Sequence, residues 1–153
     1  MNRSQLSVVL ALGLAGGLAP ARAMAAESIS MDPTKVVSAF HAALSGGDRE
    51  QALSLLSPKV VIFESGGAEM SREEYGSHHL AGDMEFVRAT KTTVVAEQSG
   101  QAADVAWVLR RTATTGTFRG KDINSRGTET MMLRKSEAGW LIVHIHWSSH
   151  NSK

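Results

Sequence analysis

The chain has 153 residues, 42% of them hydrophobic, with 16 basic and 15 acidic side chains and no cysteine. That length holds one domain with a single core. The balanced charge gives no sign of a phosphate-binding surface for nucleic acid, which needs an excess of Lys and Arg, and the missing thiols exclude disulfides, thiolate chemistry and Cys-ligated zinc.

The first residues read as a leader. Asn2-Arg3 is a short basic segment, Leu6 to Ala19 an apolar run too short for a comfortable membrane span, and Ala21 to Ala23 and Ala23 to Ala25 are Ala-x-Ala cleavage triplets. Residues 1–26 are therefore expected to be a secretory signal peptide and 27–153 the folded domain, periplasmic or secreted and free of the membrane once cleaved. An uncleaved anchor is the alternative. Losing Arg3 and Arg22 with the leader leaves 14 basic against 15 acidic side chains, a net charge of −1.

Asp32-Pro33 supplies a helix cap and a first-turn proline, Val36, Val37, Phe40, Ala43 and Leu44 recur at helical spacing, and Gly46-Gly47 stops the element. Asp48 caps a second helix carrying Ala52, Leu53, Leu55 and Leu56, ended by Ser57-Pro58. Val60 to Phe63 is a β-prone run closed by Ser65-Gly66-Gly67. Ser71 and Glu74 form a capping box for a third helix with Tyr75, His78, His79, Gly82 and Phe86 along one side. Four strands follow, Thr90 to Glu97, Asp104 to Thr117, Asp122 to Lys135 and Trp140 to Ser149, with turns at Ser99 to Gln101, Gly116 to Gly120 and Ser136 to Gly139.

The last strand has large side chains on both faces. Strict alternation puts Trp140, Ile142, His144, His146 and Ser148 on one side and Leu141, Val143, Ile145 and Trp147 on the other. Both faces then need cover, so this strand is expected at the centre of a curved sheet, its histidine face lining a pocket. The Leu141, Val143, Ile145 and Trp147 row is the expected homodimer contact.

Three strings, Ala43-Leu-Ser-Gly-Gly-Asp48, Leu53-Ser-Leu-Leu-Ser-Pro-Lys-Val-Val-Ile-Phe63 and the Gly139-Trp ending with His144-x-His146-x-Ser148, resemble the nuclear transport factor 2-like superfamily in its SnoaL-like, ketosteroid-isomerase-like branch. The resemblance implies an α+β fold in which three N-terminal helices pack in the concave face of a strongly curved, mostly antiparallel sheet, a cone with a central cavity. It also implies a dimer through the outer sheet face.

Against that family, Glu64 falls at the position of the catalytic base, while Phe40 and Met131 fall where a tyrosine and a protonated aspartate stabilise the developing enolate. Losing both donors removes the main stabilisation of that intermediate and argues against steroid isomerisation. The alternative for Glu64 is a solvent-facing strand end.

His144 and His146, at i and i+2, and His79 and Asp83, at i and i+4, each share a face. Brought together across the cavity they would suit Zn²⁺ or Cu²⁺, and Met84 or Met131 nearby would favour Cu⁺. Against metal stands the simpler reading of His144 and His146 as hydrogen-bonded residues that shape a pocket. Arg110 and Arg111 lie on opposite faces of one strand, so one of them can enter the cavity and pair with Glu129 or Glu64. Ser149, His146 and Asp83 do not make a hydrolase triad, because no Gly-x-Ser-x-Gly turn presents a nucleophile.

Two functions remain open. One is an exported domain binding a small molecule or metal without turnover, its cavity formed by Phe40, Glu64, Tyr75, His79, Met131, Ile142, His144 and His146. The other is an isomerase- or lyase-type enzyme on a small hydrophobic substrate, with Glu64 or His146 as general base.

Overall fold

A computed structural model describes residues 31–152 of the chain. The expected signal peptide lies outside the described residues, apart from which the domain runs as follows: α1 (Pro33–Gly46), α2 (Arg49–Ser54), β1 (Leu56–Glu64), β2 (Gly67–Glu69), α3 (Arg72–His78), α4 (Leu80–Ala89), β3 (Thr90–Ala102), β4 (Val105–Phe118), β5 (Lys121–Ser136) and β6 (Gly139–Asn151). No described helix is long and apolar enough to cross a membrane.

The caps form as the sequence dictates. Asp32 accepts from the Thr34 backbone at 2.8 Å, ahead of Pro33. Gly47 takes a left-handed conformation (φ +71°) that lets the Asp48 amide close on the Ala43 carbonyl at 2.9 Å, and Asp48 then caps α2 through the Gln51 amide. Ser71 accepts from the Glu74 amide at 3.0 Å, and Glu74 reaches back to the Met70 amide at 2.7 Å. The expected third helix is two helices, α3 and α4, broken at His79; the second piece runs through Gly82 to Ala89.

The six strands order as β2-β1-β6-β5-β4-β3, with β1–β6 parallel and the other pairs antiparallel. The last strand is thus central, as its two occupied faces require. β3 continues past the expected turn at Ser99 to Gln101, because Gly100 sits opposite Trp107, whose indole would lie 2.2 Å from any Cβ there. Val36, Val37, Phe40 and Leu44 of α1 pack with Met131, Leu133, Ile142 and Ile145 of the sheet, all at most 2% exposed. Each such side chain contributes about 1.5–3 kcal/mol by leaving water.

A bulge in β6 decides which residues reach the cavity. Ile142 pairs with Leu133 and His144 with Met132, which leaves Val143 unmatched and shifts the alternation by one. Ile142 and Ile145, predicted on opposite faces, are both fully buried on the concave side. Trp147 follows Ile145 inward and stacks on Phe40 with ring centroids 6.4 Å apart at 17°. His144 and His146 turn to the outer face. The apolar row Leu141, Val143, Ile145 and Trp147 expected to make the dimer contact therefore does not form.

Candidate functional site: a cavity with a buried carboxylate

Between the helices and the concave face of the sheet lies a cavity of about 560 Å³. Its polar anchor is Glu129 of β5, 5% exposed. His41 of α1 lies 2.9 Å from one Glu129 oxygen, the Trp147 indole N–H donates to the same oxygen at 2.7 Å, and Arg110 Nη1 stands 3.6 Å from the other. Burial pushes the Glu129 carboxyl up, but the His41 hydrogen bond and charge, the Trp147 bond and the Arg110 charge outweigh it, so the group sits below the usual carboxylate range. Arg110 itself donates to Glu97 at 2.7 Å and reaches Ser38 at 3.4 Å. Of the two adjacent arginines, Arg110 is the buried one and Arg111 is exposed.

Two further lining carboxylates are of the contrary kind, one of them Glu64, which pairs with Trp147 from the β1 side as Glu129 does from the β5 side. Glu64 ends β1 and opens onto the cavity, so solvent reaches it, yet the surrounding protein desolvates it. Burial and the nearby Asp83 charge raise its pKa, and His79 opposes them. Asp83 is also raised, first by burial and further by Glu69, against the lowering effects of its Tyr75 hydrogen bond and of His79. Tyr75 is 1% exposed and donates to Asp83 Oδ2 at 2.7 Å. Burial and the same carboxylate raise its phenol far above the ordinary value, so it remains a donor.

The structure sorts the sequence candidates into four places. Glu64 and Asp83 line the cavity, with Tyr75 behind Asp83. Phe40, Met131 and Ile142 are fully buried core residues, so the two positions that carry enolate donors in isomerases are apolar packing here. His79 bonds Glu69 in a small recess bounded by Ile62, Glu64 and Tyr75. His144 and His146 do not line the cavity: they flank Phe63 on the outer face, with ring centroids 5.3 and 6.4 Å from it, and His144 Nδ1 bonds the Val61 carbonyl at 2.9 Å. The four-residue metal set His79, Asp83, His144 and His146 is thus divided between the two faces of the sheet and has no common centre. That division also removes His146 as a base for a substrate in the cavity.

His41 and the anchoring role of Glu129 were missed, although both left a signal. His41 lies four residues after Val37 and three before Leu44, on the buried stripe of α1, and Glu129 stands in the alternating row Gly127, Glu129, Met131, Leu133. A charged group in an apolar row calls for partners.

Residues 34–152 match the model of the SnoaL-like domain family. The chain is a SnoaL-like domain of the nuclear transport factor 2-like, ketosteroid-isomerase-like superfamily. A candidate ketosteroid isomerase from Shewanella frigidimarina is 35% identical, with a TM-score of 0.72 over 74% of this chain and 92% of its own. A candidate dehydratase of the NTF2-like family from Streptomyces avermitilis (18% identity, TM-score 0.66, 78% of this chain, 94% of its own) shares the fold. So does the association domain of C. elegans CaMKII (21%, 0.61, 75% and 91%). No curated protein matches the sequence. The class is therefore a ligand-binding or isomerase-type domain.

Proposed function

We propose that this is an exported, homodimeric domain that binds a small, largely apolar organic molecule in its cavity without turning it over. The observation that carries the reading is the buried Glu129 carboxylate, held ionised by His41, Trp147 and Arg110 in a cavity whose lining is otherwise apolar and hydroxyl-bearing except for Glu64, Asp83 and Lys91. A ligand with one hydrogen-bond donor or a cationic group would meet that cluster while its apolar body lies along Leu44, Phe86, Val87 and Val94.

An isomerase-type reaction stays as the second reading because Glu64, with its raised pKa, has the character of a general base beside a second titratable carboxylate. Against it stands the apolar identity of Phe40 and Met131, which offer a developing oxyanion no hydrogen bond. The two separate in one experiment. A cyclic β,γ-unsaturated ketone is titrated into the protein while Trp fluorescence and isomerisation are both followed. Binding without isomerisation supports the first reading; isomerisation abolished by Glu64→Gln establishes the second.

For the dimer, the outer face supplies different residues from those expected. Phe63 and Leu109 are exposed there, 41% and 37%, and the outward side chains of Trp107 and Met132 are half-buried. Such a face on a small domain favours self-association. Export rests on the leader composition alone.

A further inference from the structure

A second polar cluster lies outside the cavity, where β2 hands over to α3. Glu69 pairs opposite Ile62 across the β1–β2 hairpin, and its side chain is only 7% exposed. One carboxylate oxygen is bonded by His79 Nδ1, while the other, Oε2, is buried with no hydrogen-bond partner. His78 Nδ1 stands 3.6 Å from that oxygen, beyond hydrogen-bond reach. Buried carboxylate oxygens are normally satisfied, so this one calls for a partner.

We propose that Glu69, Glu74 and His78 form a binding site for a divalent first-row transition cation, best suited to Zn²⁺. Glu74 and His78 stand at i and i+4 on α3 and so project on one side, and one ligand atom from each of the three residues lies within 4.8 Å of the others. Two ligands of one tetrahedral Zn²⁺ with bonds of 2.0–2.1 Å are separated by roughly 3.3 Å, close to the distance already set between Glu69 and His78. The remaining closure needs only rotation of Glu74 and of the solvent-exposed His78. Glu74 uses Oε2 on the Met70 amide, which leaves its second oxygen for the cation. His79, bonding the far oxygen of Glu69, fixes the carboxylate orientation in the way outer partners orient metal ligands. The imidazole nitrogen discriminates against Mg²⁺ and Ca²⁺, which take oxygen ligands. Three protein ligands leave a coordination position open to solvent. The cluster is independent of His144 and His146, which lie on the other side of the sheet.

The test is competition between the untagged, chelator-treated protein and a chromophoric chelator for Zn²⁺, with circular dichroism to verify folding of each variant. One Zn²⁺ per chain is expected, weakened at least about tenfold by His78→Ala and by Glu69→Gln, unchanged by His144→Ala with His146→Ala, and retained in excess Mg²⁺. His78 is exposed, so its variant tests the site even if Glu69→Gln fails to fold. Wild-type protein that takes no Zn²⁺ from the chelator, binding that survives His78→Ala, binding lost with the His144/His146 pair, or displacement by Mg²⁺ would each overturn the proposal.

Discussion

Trp147 and Glu129 face each other across the β5–β6 ladder, and the indole N–H of one donates to the carboxylate of the other at 2.7 Å. The pair links the core to the cavity, because the same indole stacks on fully buried Phe40 while the same carboxylate holds His41. Their energies should therefore be coupled. Trp147→Phe keeps an aromatic ring on Phe40 but removes the donor, and is expected to cost about 1.5–3 kcal/mol, the range of a hydrogen bond to a charged group. Glu129→Gln removes the charge shared by His41, Trp147 and Arg110. The double variant should be less destabilised than the sum of the singles by about 1 kcal/mol, measured by urea unfolding; strict additivity would show that the bond contributes nothing.

Asp83 should destabilise the folded state at neutral pH. Its folded pKa and that of Glu64 are raised, so the stability they contribute is present below the ordinary carboxylate values of 3.8 and 4.5 and is lost as pH rises through the raised ones. Asp83→Asn keeps an acceptor for the Tyr75 hydroxyl and removes the repulsion on Glu64. Unfolding midpoints of this variant are expected to match or exceed wild type at about pH 7 and to lose that advantage at about pH 3.5, while NMR titration shows the Glu64 pKa falling. A variant clearly less stable at neutral pH would contradict the assignment of Asp83 as a strained carboxylate.

Glu129 has the opposite sign. Its folded pKa is lowered, so its contribution is present above the ordinary value and disappears as pH falls through the folded one. Glu129→Gln should accordingly flatten the acid side of the stability profile and leave the loss on rising pH in place. An unchanged acid limb would mean that the carboxylate is not ionised in the folded protein.

A charge on the outer face should separate the proposed dimer. Leu109→Glu places a carboxylate on the outer face of β4, on the same side as Trp107 and Met132. Light scattering at micromolar concentration should then show a monomer with an unchanged circular dichroism spectrum. A wild-type monomer, or a dimer indifferent to this change, would remove the outer face as the contact.

The leader makes its own prediction. Protein recovered from the exporting cell should begin between Met24 and Glu27, read by N-terminal sequencing, and a chain still starting at Met1 would contradict export by cleavage.

Much of the architecture was readable from caps and alternation. Asp32-Pro33, Asp48 and the Ser71/Glu74 box mark helix starts with side chains that satisfy orphan amides, and such bonds are local. The two-faced ending at Trp140 to Trp147 pointed to a central strand for a reason that survives the bulge, since both faces are large whichever way they point. The bulge itself had no signature, because Ile142, Val143, His144 and Ile145 suit either face of a buried strand and only the unmatched partner across β5 decides. One extra residue moved two histidines out of the site and Trp147 into it. The break at His79 was equally silent, with no proline or glycine at that position, yet it separates the recess that holds Glu69 from the wall that holds Asp83.

Native mass spectrometry of protein isolated from its own compartment decides whether the cavity anchored on Glu129 holds a small organic ligand. An adduct of one small organic molecule per chain is expected, released on mild activation and absent from Glu129→Gln protein isolated the same way. Wild-type protein that flies only at the mass of its polypeptide, or an adduct retained unchanged in Glu129→Gln, would contradict it.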